Sequence, residues 1–146
     1  MIGMKLNQMK STFFDQPKVM NAVDKGTQRV FSRFGAFVRT EARHSIRKRK
    51  RASKPGEPPS SHTGLLRRFI FFGYERLARS VVIGPVKLNS KNTGAPHVLE
   101  EGGSTQLSFG TRGKQRRINV KPRPYMGPAF EKVEPRLPEM WRNSVT

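Results

Sequence analysis

Apolar positions in the first third of the chain are spaced for one long helix. It starts at Asp15-Gln16-Pro17, a polar cap followed by a proline near the first turn. Projecting the residues at about 100° each puts Val19, Val23, Val30, Phe34 and Phe37 in one narrow stripe, with Arg39 and Arg43 on the far side. A helix with that pattern packs by a single face. Further along, the same face carries Glu41, His44 and Ser45, so the last turns are expected to leave the core or meet another subunit. Residues 1–16 read as an N-terminal arm in which Leu6, Met9 and Phe13 form an apolar edge.

The periodicity then breaks. Arg47-Lys48-Arg49-Lys50-Arg51 runs into Ala52-Ser53-Lys54-Pro55-Gly56-Glu57-Pro58-Pro59-Ser60-Ser61, a composition that stops helices and favours turns, so residues 47–62 read as a basic, proline-rich loop. Thr63-Gly64 precedes a single helical turn at Leu65-Leu66-Arg67-Arg68. Aromatic and β-branched residues follow at Phe69 to Tyr74 and at Ser80 to Ile83, which should pair as strands across a turn near Glu75 to Ala78. The apolar cluster from Ala95 to Leu99 ends in Glu100-Glu101-Gly102-Gly103, and the open Gly/Ser/Thr/Arg-rich passage at 102–117 reads as a flexible loop or mobile hairpin. Ile118 and Val120 alternate as in a short strand. From Pro128, the residues Ala129, Phe130, Val133, Leu137, Met140 and Trp141 recur at helical spacing, but Pro135 and Pro138 must kink or divide that helix, since each lacks the amide hydrogen its turn would use. These elements make an α+β chain with one domain over 17–146 and no internal repeat.

Composition changes this picture in one respect. The chain carries 29 Lys and Arg against 10 acidic residues, a formal charge of +19. Isolated copies would therefore repel one another unless something acidic sits nearby. With 34% hydrophobic residues and a mean hydropathy of −0.66, parts of the chain are expected to be extended or ordered by neighbours, which favours an assembly component. The absence of cysteine removes disulfides, thiolate metal sites and cysteine nucleophiles. Neither Phe69-Ile70-Phe71-Phe72 nor Val81-Val82-Ile83 approaches the roughly 20 apolar residues of a bilayer span, and the N-terminus has no apolar signal-peptide run. A soluble protein used without export, with no membrane partner, is expected.

No catalytic constellation is legible. His62 follows Ser60-Ser61 in a proline-rich loop, where adjacency does not hold a nucleophile and base together. Glu100 and Glu101 are sequence neighbours rather than separated, differently tuned carboxylates, and read as a helix end or surface salt bridge. The histidines, His44, His62 and His97, and the ten acids are scattered, without ligand spacing for a metal. Gly110-Thr111-Arg112-Gly113-Lys114-Gln115 imitates a phosphate loop, but its glycines stand too close together and Gln115 replaces the Ser or Thr that would hold magnesium. Neither an enzyme nor a cofactor is implied.

The basic clusters are the remaining candidates. Arg39, Arg43, Arg47, Lys48, Arg49, Lys50, Arg51 and Lys54 stand against the single Glu41 over 39–54, and a second group comprises Arg112, Lys114, Arg116, Arg117, Lys121 and Arg123. Such density can neutralise phosphates with release of counterions, giving salt-sensitive, sequence-indifferent binding. A solvated face, or a seat for an acidic protein partner, is the plainer reading. Few aromatics lie within the clusters, which gives base stacking little support.

The segment from Lys54 to Arg68, with Pro55-Gly56-Glu57-Pro58-Pro59 and Thr63-Gly64-Leu65-Leu66-Arg67, resembles the central signature of the head-tail joining and tail-completion proteins of tailed bacteriophages, the family that includes the minor tail protein Z of lambdoid phages. Three further stretches follow in the family's order: Ser80-Val81-Val82-Ile83-Gly84-Pro85, then Ala95 to Gly102 ending in Glu100-Glu101-Gly102, then Arg123-Pro124-Tyr125-Met126-Gly127-Pro128-Ala129-Phe130. The last is similar to the family's Arg-Pro-Phe-x-x-Pro-Ala motif, and the resemblance covers most of the chain after residue 17. It implies an α+β domain with a long N-terminal helix packed on a small, mainly antiparallel sheet, to which this chain's own residues add extended basic loops and a kinked C-terminal helix. It also implies a non-enzymatic homo-oligomeric ring, a hexamer or dodecamer, in the virion neck. That ring would be assembled in the host cytoplasm, between the portal or adaptor ring and the tail proteins, around the DNA path. The five-residue basic run and the second proline of the last helix depart from the family's usual pattern. A basic nucleic-acid-binding protein of ribosome-associated type is the competing reading.

Overall fold

The computed structural model describes residues 15–86, 95–109, 114–142 and 144. The helix expected from the apolar stripe is α1, Gln16–Ser45, whose first turn is capped by Asp15 accepting from the Lys18 amide at 3.3 Å. Ile46, with extended backbone, leads directly to β1, Arg47–Lys48, which pairs in parallel with β2, Ser60–Ser61. The short helix α2, Leu65–Arg68, precedes the antiparallel ladder of β3, Ile70–Glu75, and β4, Ser80–Pro85. Helix α3, Ala95–Glu101, leads into a second antiparallel ladder, β5, Gly103–Phe109, with β6, Lys114–Val120. The chain closes with α4, Met126–Val133, a 3₁₀ turn at Glu134–Arg136 and α5, Leu137–Trp141. Pro135 and Pro138 fall in and just after that turn, which divides the last helix as their missing amides require.

The class is α+β, with α1 packed on the β3–β4 ladder on one side and on α4 on the other. Among the described residues the strands form three separate two-stranded ladders. Residues 103–109 and 114–120 are paired residue for residue, from Gly103 with Val120 to Phe109 with Lys114, so of the hairpin or flexible loop expected over 102–117 it is the paired strands of a hairpin that form. Its polar, glycine-bearing strands hide the alternation that marks a half-buried sheet, whereas the pairing itself needs only backbone groups. The expected arm lies outside the described residues up to residue 14; Asp15 and Gln16 already belong to the cap and first turn of α1.

The buried line on α1 differs from the stripe read along its axis. Val30, Phe34, Val38 and Ala42 are buried and the line continues into Ile46, while Val19 and Val23 are exposed. Steps of four residues follow an oblique ridge around the helix, and helices and sheets pack along such ridges rather than parallel to the axis. Length supplies the second reason. A helix of 30 residues is about 45 Å long, more than twice the span of the six-residue strands packed on it. Only part of α1 can then be covered, and burial falls on its C-terminal half; of the two expectations for the last turns, leaving the core is overturned by the burial of Ala42 and Ile46. With Ile70, Tyr125, Ala129 and Val133 this ridge completes the core. Phe37 lies at its edge between two guanidinium groups, Arg33 at 5.8 Å and Arg136 at 4.7 Å from the ring centroid.

Gly35 sets how closely the ladder approaches α1. A Cβ there would stand 2.8 Å from Val81 Cγ2 and 2.9 Å from Phe72 Cδ2, so only a glycine lets these side chains rest against the helix backbone.

Candidate polyanion interface

Arg39 and Arg43 stand one turn apart near the end of α1, half-buried rather than on a solvated far side. Arg43 Nη2 donates to the carbonyl oxygens of Arg68 at 2.8 Å and Ile70 at 3.0 Å. Its guanidinium lies 5.9 Å from the Phe71 ring centroid, and that of Arg39 lies 5.6 Å from Phe72. Aromatic faces hold both cations without neutralising them. Burial, with Arg39 and Arg67 nearby, lowers the pKa of Arg43 from its ordinary value, the direction expected of a cation that lacks a close anion.

The turn of α2 brings Arg67 and Arg68 against the same end of α1. Together with Arg39, Thr40, Arg43, His44 and Gly64 they line a cleft of about 360 Å³. A second cleft of about 320 Å³ shares His44 and continues past Arg47 and Arg49 to Pro58, Pro59 and Ser60, with Glu57 its one acidic lining residue. The ion pairs among the described residues are Lys18–Asp15, Arg79–Asp24, His97–Glu101 and Lys132–Glu41. None involves an arginine of either cleft. Glu41, the one acid within the first cluster, points to Lys132 Nζ at 2.7 Å and leaves that cluster uncompensated.

The remaining cluster residues distribute differently. Arg47, Lys48, Arg49, Lys50, Arg51 and Lys54 are all exposed, as consecutive like charges must be. Their loop is nevertheless tied back to the segment before α4, where Arg123 Nε donates to Ser53 O at 3.1 Å and the Gly56 amide donates to Pro122 O at 2.9 Å. Arg123 is thus an internal clamp. Arg116 and Arg117 are exposed neighbours on β6, so the strand pleat sends them to opposite faces. Lys121 is exposed; Lys114 opens β6, its side chain outside the described residues, where Arg112 also lies. The second group is therefore not one described patch. Arg67, Arg68 and His44 were missed as partners of Arg39 and Arg43, although the Leu65-Leu66-Arg67-Arg68 turn was legible; its position against α1 is a tertiary fact.

One carboxylate organises the base of these loops. Glu100 accepts from the amides of Tyr125 at 2.9 Å, Met126 at 3.1 Å and Gly127 at 2.8 Å, capping α4 from the end of α3. Neighbouring Glu101 approaches His97 at 3.6 Å as a surface pair. The Tyr125 ring is fully buried beside Glu100, and burial, reinforced by that carboxylate, pushes its phenol up to about 12 from 10.0. A group whose pKa is higher folded than unfolded gives stability that is intact below the unfolded value and lost as pH rises through the folded one. Stability is therefore expected to fall by up to about 2–3 kcal/mol between pH 10 and 12 relative to Tyr125→Phe. Paired denaturant titrations across that range check this, since parallel pH profiles for the two proteins would mean the phenol is not linked to folding.

Among the described residues there is no group of three or more His, Asp or Glu side chains placed to hold a metal, and no helix long and apolar enough to cross a membrane. No protein-family model, curated protein or solved structure matches the chain.

Proposed function

We propose that this chain is a structural, non-enzymatic protein of the tailed-phage neck, a ring-forming subunit that joins the head connector to the tail around the DNA path. The observation that carries the proposal is that three of the four segments bearing the family resemblance converge. The Pro55-Gly56 loop bonds to Pro122 O through the Gly56 amide, the Arg123 amide donates to Leu99 O at 2.7 Å, and Glu100 of the Glu-x-Gly stretch caps the helix opened by Tyr125-Met126-Gly127. Motifs far apart in sequence thus share one hydrogen-bonded hub, as a signature with a common structural cause would.

Two further features support an assembly. Each two-stranded ladder has outer edges without a strand neighbour among the described residues, which a closed ring of copies can cover. Large apolar side chains are also exposed, among them Val19, Met20, Leu77, Val82 and Phe130, in keeping with surfaces completed by neighbours.

The test is complementation of particles that lack this chain. Filled heads and separate tails should accumulate, and adding the purified protein should join them. The variant with Arg47, Lys48, Arg49, Lys50 and Arg51 replaced by glutamine should keep the wild-type melting transition, because all five side chains are exposed, yet join poorly or fail to retain DNA. Normal joining in particles without the chain would overturn the proposal; normal joining and DNA retention with the five-fold variant would reduce the loop to a solvated charge run.

A further inference from the structure

We infer that the cleft between the end of α1 and α2, walled by Arg39, Arg43, Arg67 and Arg68 and closed by His44, is a phosphate-binding seat for the backbone of nucleic acid. This deepens the proposed function and rests on it only for the polymer's being the DNA of the neck. The argument begins with the free charge. Four arginines line one cleft of about 360 Å³, and none has an acidic partner among the described residues.

The cations are positioned rather than loose. Phe72 lies beneath Arg39 and Phe71 beneath Arg43, and two carbonyl oxygens fix Nη2 of Arg43. Nη1 of Arg43 makes no hydrogen bond among the described residues, and the buried Nε atoms of Arg39 and Arg43 have no acceptor. A phosphate in the cleft would take the unengaged Nη donors in the forked geometry guanidinium favours and relieve the mutual repulsion of these cations. Positioning before binding also reduces the entropy lost on association.

A polymer fits better than a lone anion, because the second cleft shares His44 with the first and adds Arg47 and Arg49 to the basic lining. Glu57 in that second cleft assigns the seat itself to the first. Phe71 and Phe72 are engaged with the guanidinium groups and so do not serve as base-stacking platforms, which makes the contact one with backbone and indifferent to sequence.

The experiment uses the full chain and a short mixed-sequence DNA duplex, followed by fluorescence anisotropy over a salt series. The Arg67→Gln/Arg68→Gln variant removes two exposed charges while keeping the Arg68 carbonyl that Arg43 uses. It is expected to bind about tenfold or more weakly and to lower the slope of log affinity against log salt by about 2, nearly one per phosphate contact. The charge-matched control Lys25→Gln/Arg29→Gln, on the exposed first half of α1, should change both quantities little. Equal losses for the two variants would show that net charge alone is responsible and would overturn the inference. Competition by polyglutamate as strong as that by unlabelled duplex would overturn it too, by showing that the cleft takes an acidic protein surface. Failure of ring formation by the wild-type chain would count against the proposed function and leave the measured DNA affinity of the cleft standing.

Discussion

Phe34→Ala is expected to destabilise the folded chain by about 3–5 kcal/mol, the usual cost of truncating a fully buried aromatic. The ring is 3% exposed, packs edge-on against Phe130 at 5.5 Å, and belongs to the cluster joining α1 to the β3–β4 ladder and α4. Its loss leaves a cavity where three elements meet, so collapse from one side cannot refill it. Phe37→Ala should cost about 1–2 kcal/mol, because its half-buried ring exchanges contact with the Arg33 and Arg136 side chains for water. Val19→Ala, on the exposed first half of α1, should stay within about 0.5 kcal/mol. Denaturant midpoints order these three variants. Equal midpoints for Phe34→Ala and Val19→Ala would mean that the buried ridge has been misassigned.

Glu100→Ala should cost about 2–3 kcal/mol, more than an ordinary helix cap. Its carboxylate takes every amide from Tyr125 to Gly127, and the next residue, Pro128, has no amide to offer. All the donors at the opening of α4 therefore depend on this one side chain, whose negative charge also suits a helix N-terminus. Removing it leaves those donors in a partly buried place beside Tyr125. Glu100→Gln retains one acceptor oxygen and should fall between alanine and the native residue. Hydrogen exchange at Met126 and Gly127 should accelerate in the alanine variant alongside the drop in midpoint; unchanged exchange would show that the cap contributes nothing.

These two residues mark the boundary between what was legible in the chain and what was not. The core position of Phe34 followed from helical spacing, the α1 start at Asp15 from its polar cap and following proline, and the division of the last helix from the missing amides of its prolines. Local chemistry suffices for such features. Val38, Ala42 and Ile46 were passed over because their burial depends on the oblique path by which the ladder and α4 cross α1, and crossing angles are set by partners distant in sequence. Glu100 reads as a helix end or a surface salt bridge, and it does lie in the last turn of α3; its acceptor role was not legible, since it requires α3 to end where α4 begins. The basic run from Arg47 to Arg51 was plain as a charge cluster, yet the cleft lies beside it. Only folding brings Arg67 and Arg68 to Arg39 and Arg43, across the 46–64 connection, whose sequence carries no periodicity to signal the approach.

The central claim is that copies of this chain close into a ring without metal or nucleotide, through the ladder edges and the loops around them. Native mass measurement of the purified full chain, with negative-stain images of the same sample, tests it most directly. A closed hexamer or dodecamer with a central opening, unchanged by chelator and by nuclease, is the predicted result. A monomer at every concentration, gaining mass only when RNA is added, would contradict the account and favour a basic nucleic-acid-binding protein instead.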